Sequence, residues 1–88
     1  MEEKQKSDVL RRLSRVEGQI RGIQRMVRED KYCVDVLIQV SAVRAALRQV
    51  GLVILDGHTR GCVVKAVAEG RSEEAADELL EVIEKFLR

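Results

Sequence analysis

The chain has 88 residues, with no proline, no tryptophan, one tyrosine, one phenylalanine and 35% charged side chains, so residues 1–88 have room for a single small domain and none for a second. The apolar 45% is nearly all Val, Leu, Ile and Ala, which fill helix faces and disfavour both disorder and an enzyme pocket built inside one subunit. A net charge of +1 argues against a nucleic-acid partner only as an average, because residues 1–31 carry 9 basic and 6 acidic side chains while residues 66–88 carry 3 and 7. Within 11–28 the arginines at 11, 12, 15, 21, 25 and 28 face Glu17 alone, a basic stripe on a nearly neutral protein.

The composition points to an all-α subunit of three helices. The first, about residues 7–29, is read from Val9, Leu13, Val16, Ile20, Ile23 and Val27, spaced 4, 3, 4, 3 and 4, with Ser7 as its N-cap. Gly18 and Gly22 share one face of this helix, and two glycines in a helix interior imply a close approach by another helix or by a phosphate backbone. The second helix, about 32–69, runs without proline from Tyr32 to a stop at Gly70, with Gly51, Gly57 and Gly61 allowing a bend. Its apolar residues occupy more than one face, as expected of a helix contacted from several sides. The third, about 72–88, opens on Ser72, Glu73 and Glu74 and lines Ala76, Leu79, Leu80, Ile83, Phe86 and Leu87 along one side. No uninterrupted apolar run reaches the ~20 residues of a membrane span, and the opening MEEKQKSD lacks the apolar core of a signal peptide, so a cytoplasmic protein with no membrane partner is expected.

Cys33, His58 and Cys62 are the residues with metal chemistry to offer. His58 and Cys62, four apart, project from one helix face within reach of a single ion. Cys33 precedes His58 by 25 residues, about 38 Å along a helix, so one chain cannot close the site. Two copies of the second helix packed antiparallel, crossing near residue 46 where Ala42, Ala45 and Ala46 are small, would bring Cys33 of one beside His58 and Cys62 of the other. A twofold dimer then holds two equivalent sites. Two thiolates and one imidazole suit Cu(I) best, with zinc left open given a water or a glutamate as fourth ligand. Tyr32 and Glu78 are candidates for orienting the histidine, against an ordinary surface role for each.

The run Tyr32-Cys33-Val34-Asp35-Val36, the stretch Gln39-Val40-Ser41-Ala42-Val43, His58-x-x-x-Cys62, and Leu13-x-x-Val16-Glu17-Gly18-Gln19-Ile20-x-Gly22-Ile23 together resemble the copper-sensitive operon repressor family over nearly the whole chain. The resemblance implies three-helix subunits forming homodimers and homotetramers, with Cys33, His58 and Cys62 as Cu(I) ligands and Tyr32 and Glu78 supporting them. It also separates the family's sensors: nickel or cobalt sensors resemble Cys-His-His with an N-terminal His, persulfide sensors lack the His, and formaldehyde sensors do not need the last Cys. The Cys-His-Cys set here matches the copper branch. Some relatives place a basic DNA-contacting residue where Gln49 stands, leaving Arg48 and Arg44 as the nearest basic side chains.

The expectation is a Cu(I)-responsive repressor, not an enzyme, whose metal-free oligomer binds operator DNA through Arg11, Arg12 and Arg15, with Arg48 in support. Two competing readings are a thiol- or persulfide-responsive repressor using Cys33 and Cys62, and a helical adaptor with no DNA role.

Overall fold

A computed structural model describes residues 1–87. Three helices account for nearly all of it: α1, Glu3–Arg28; α2, Cys33–Ala68; and α3, Ser72–Phe86. The first begins four residues before Ser7, so Ser7 lies inside the helix and is not its cap; Glu2 precedes the first turn, without a side-chain cap. The earlier start follows from Glu3-Lys4-Gln5-Lys6, all good helix formers, and from Gln5, whose Nε2 donates to the Val53 carbonyl at 2.7 Å and pins the first turn to α2. Arg71, not Ser72, precedes the first turn of α3. Arg88, expected at the end of that helix, lies outside the described residues.

The turns between helices share one solution. After α1 the Lys31 N–H donates to the Met26 carbonyl at 3.0 Å, with Asp30 at φ 53°. After α2 the Arg71 N–H donates to Ala66 at 2.8 Å, with Gly70 at φ 79°. Both are left-handed C-terminal stops of the Schellman type, and Gly70 takes this conformation without a Cβ penalty, as its place in the sequence suggests.

α2 is a single 36-residue rod, and the bend that its glycines allow takes the form of a π-turn at Thr59–Val63, between His58 and the last α-helical segment. The glycines at 51 and 57 serve close packing. A Cβ at Gly51 would overlap the Phe86 ring of α3, and one at Gly57 would overlap the Gln5 amide of α1. Gly18 and Gly22 behave otherwise. Nothing in the subunit lies within 4 Å of where their Cβ atoms would sit, so no close approach within the subunit explains them.

α1 and α2 form an antiparallel hairpin sealed by Val9 and Val16 on one side and Val43 and Val50 on the other, and α3 packs on the far end of α2. With Ala66, those four valines are all of the buried hydrophobic core among the described residues, while Leu37, Ile38, Leu47, Leu52, Leu80 and many other large apolar side chains remain exposed. The accessible surface is 7107 Å², whereas a compact 10.0 kDa monomer exposes about 5,200 Å². The radius of gyration is 17.3 Å against about 12 Å for a globule of this length.

α2 is also long and apolar enough, by length and composition, to cross a membrane, which the search for an uninterrupted apolar run does not reveal. Arg44 and Arg48 lie in its interior, where each would oppose insertion by about 2.5–3.5 kcal/mol. One side of α2 is already covered by α1. The helix is that of a hairpin with an open flank.

Candidate metal centre

The turn region of α2 and the side of α3 bring together two of the candidate metal donors, His58 and Cys62, with Glu78 beside them. His58 ends the regular part of α2, and Cys62 lies within the π-turn that follows. A π-turn advances each residue by less than the 100° of an α-helix, but four steps still come close to a full turn, so the two side chains stay on one side of the rod. Glu78, in α3, reaches across: its Oε1 lies 3.4 Å from His58 Nε2. His58 is well covered, with 29% of its side chain exposed, while both cysteines are free and exposed thiols.

This contact has a chemical consequence. With Nε2 on the side of the Glu78 carboxylate, Nδ1 is the nitrogen left for a soft cation, an arrangement in which a carboxylate can fix the orientation of a ligating histidine. Glu78 therefore stands where it can orient His58. His58, Cys62 and Glu78 share a cavity of about 290 Å³ with Lys65, Glu69 and Glu74.

Cys33 and Tyr32 are not part of this cluster. Cys33 is the first residue of α2 and Tyr32 precedes it, 68% exposed, at the opposite end of a molecule 57 Å long. Accordingly no group of three His, Cys, Asp or Glu side chains able to hold a metal occurs among the described residues of one subunit. Each end of the rod carries an incomplete donor set, one thiol at the start and one thiol with an imidazole near the finish. The flank of α2 facing away from α1 is apolar and narrow-waisted: Val34, Leu37, Ile38 and Leu52 are exposed on it, with Ala42 and Ala45 at the waist.

The arginines divide into two groups. Arg11 and Arg12 both bind Asp8, Arg12 through its Nε at 3.1 Å from Oδ2. The Arg12 hydrogen bond, helped by that of Arg11 and by the charges of both, holds the Asp8 carboxyl below its usual range against the opposing effect of desolvation. Arg15, Arg21, Arg25, Arg28, Arg44 and Arg48 make no ion pair among the described residues. The pairing of Arg11 and Arg12 follows from helical spacing, since Asp8 stands three residues before the first and four before the second.

Comparison with known proteins identifies the family and the fold. The family described as "Metal-sensitive transcriptional repressor" matches residues 5–85. The copper-sensing transcriptional repressor CsoR of Bacillus subtilis (strain 168) is 49% identical over 85 residues, covering 97% of this chain and 84% of the relative. The crystal structure of the copper-sensing repressor CsoR with Cu(I) from Geobacillus thermodenitrificans NG80-2 superposes with a TM-score of 0.93 at 44% identity, covering 100% of this chain and 92% of that one. The nickel-responsive transcriptional regulator InrS superposes with a TM-score of 0.81 at 48% identity, covering 91% and 90%. Overall likeness thus extends to sensors of two metals, and the donor set has to choose between them.

Proposed function

Because the chain belongs to the family of metal-sensitive transcriptional repressors, we propose that it is a Cu(I)-sensing repressor whose metal-free oligomer holds an operator and whose Cu(I)-bound form lets it go. The observation that carries the metal assignment is the donor set: two thiols and one imidazole already oriented by Glu78. Thiolates select soft ions, and Cu(I) accepts three ligands, whereas nickel prefers more nitrogen than one histidine in 88 residues supplies.

The ligands come together between subunits. Two copies of α2 packed antiparallel across the Ala42 and Ala45 waist place Cys33 of each at the His58 and Cys62 end of the other. The excess of exposed surface, about 1,900 Å² per subunit and so about 3,800 Å² for a pair, supports such an interface, since it falls in the range of obligate homodimer contacts. Pairing of dimers into a tetramer would cover the remaining apolar residues of α3. Cu(I) supplies bonds that tie the start of one α2 to the finish of its partner, with Tyr32 beside the first thiolate and Glu78 behind the imidazole.

DNA is held through the basic face of α1, with Arg11, Arg12, Arg15 and Arg48 as contributors, in the cytoplasm where operator and Cu(I) meet. Derepressed genes then encode copper resistance. A coupling of about 1–3 kcal/mol between the metal site and DNA gives roughly 5–150-fold release.

Anaerobic titration of the reduced protein, with operator binding followed in parallel, tests this reading. Uptake of about one Cu(I) per subunit and loss of operator affinity on binding are expected, both abolished in His58→Ala. Absence of stoichiometric uptake, or unaltered copper response in His58→Ala, refutes it.

A further inference from the structure

The apolar seam of α1 is spaced alternately by four and three, from Val9 through Leu13, Val16 and Ile20 to Ile23, with Val9 and Val16 buried and Ile20 exposed. A second set with the same spacing, Arg11, Arg15, Gly18, Gly22 and Arg25, runs two residues out of step with it. Two residues are about 200° of helix, so this set forms a straight ridge well round α1 from that seam, with Arg11, Arg15, Gly18 and Arg25 exposed and Gly22 half-covered at its edge. Arg11 is engaged by Asp8, but Arg15 and Arg25 on the ridge and Arg21 on its flank have no ion-pair partner among the described residues. Between them the ridge drops to bare backbone, because the subunit places nothing within 4 Å of either glycine's missing Cβ.

Glycine is the least favourable residue in a helix interior after proline, and here two occur one turn apart with no packing inside the subunit to account for them. We propose that the ridge is the seat of a DNA strand: the phosphate backbone crosses the Gly18 and Gly22 notch in contact with the helix itself, clamped by Arg15 on one side and by Arg21 and Arg25 on the other. The inference rests on the repressor reading and moves the centre of DNA contact from the Asp8-bound pair, Arg11 and Arg12, toward the middle of α1. Arg15 and Arg25 are about 15 Å apart along the axis, a span that covers several phosphates of one strand. Charge selects this occupant over a second copy of the same face, since two such ridges in contact would oppose their unpaired arginines.

The test is operator binding at several salt concentrations, with the mass of the oligomer measured alongside by sedimentation. The proteins are wild type, Arg21→Ala/Arg25→Ala and Gly18→Gln/Gly22→Gln. Glutamine is a good helix former and has open space at both positions, so the fold is retained. Replacing both arginines is expected to flatten the log–log salt dependence by about one unit per arginine. Filling the notch is expected to weaken operator binding about tenfold or more at unchanged oligomer mass. Wild-type slopes and affinities in both variants overturn the inference while the repressor reading stands. So does a glycine variant of altered mass and unchanged affinity per oligomer, which would make the notch a seat for another subunit, such as its acidic α3. If wild type itself fails to bind the operator, the repressor reading falls and the inference with it.

Discussion

Asp8→Asn removes one negative charge from α1 without changing side-chain size, and the structure states what it releases. Asp8 accepts from both Arg11 and Arg12, and these are the only α1 arginines that the described residues neutralise. Each arginine freed to meet a phosphate adds about 0.9 to the log–log salt slope. Arg11 belongs to the outward ridge and Arg12 lies a quarter-turn round from it, so the gain is about 0.9 if only the first reaches DNA and about 1.8 if both do. Between 50 and 200 mM salt the variant therefore loses about 4-fold to 12-fold more affinity than wild type does. Fluorescence anisotropy with a labelled operator fragment at four salt concentrations measures both slopes. Superimposable slopes would show that Asp8 does not hold these arginines away from DNA. The same carboxyl has an acid signature. Its folded pKa is depressed by Arg12 and Arg11, so its contribution to stability is fully present above the unfolded value near 3.8 and is lost as pH falls through the lower folded value. Helicity below about pH 4 should therefore decline less steeply in Asp8→Asn than in wild type, and the DNA effect should be flat across neutral pH.

Glu78→Gln, which keeps size but loses the charge facing His58 Nε2, should weaken Cu(I) binding by about 10- to 100-fold in chelator competition while leaving metal-free operator binding unchanged. Ala45→Glu, at the waist of the open α2 flank, should yield monomers by sedimentation and lose copper uptake together with association, because neither end of one rod completes a site. Gly70→Ala forces a Cβ into a left-handed turn at φ 79° and should lower stability by about 1–2 kcal/mol in urea unfolding, with metal ligation intact at saturating Cu(I).

The three helices are legible in sequence because the information is local: alternating four and three spacings, a proline-free run, and Gly70 at a chain reversal. The separation of Cys33 from His58 and Cys62 is legible for the opposite reason, since their distance along a rod excludes any closure within one chain, and the proposal of a site between subunits follows from it. Other features depend on contacts that no spacing encodes. The early start of α1 is set by Gln5 meeting the Val53 carbonyl, 48 residues away in the chain. The roles of the glycines also divide by environment. Gly51 and Gly57 make room for Phe86 and Gln5, whereas Gly18 and Gly22 face open space, although a sequence presents all four alike. The π-turn at Thr59–Val63 is only half legible: Gly61 marks a place where the helix can depart from α geometry, but nothing in the residue types says that it widens rather than kinks. Glu78 is one of seven acidic residues in the last 23; the family resemblance, not its spacing, singles it out in sequence, and the fold brings its carboxylate to the histidine.

The subunit measures 57 × 27 × 13 Å, and its smallest dimension is little more than the width of one helix with its side chains. A raft of helices one layer deep has two broad surfaces and no interior, so assembly supplies most of the shielding that a thicker domain finds within itself. Folding and assembly then become a single equilibrium in which protein concentration acts as a thermodynamic variable. Dilution alone should lower the melting temperature, and any ion that bridges two rafts stabilises the folded chains as well as signalling through them.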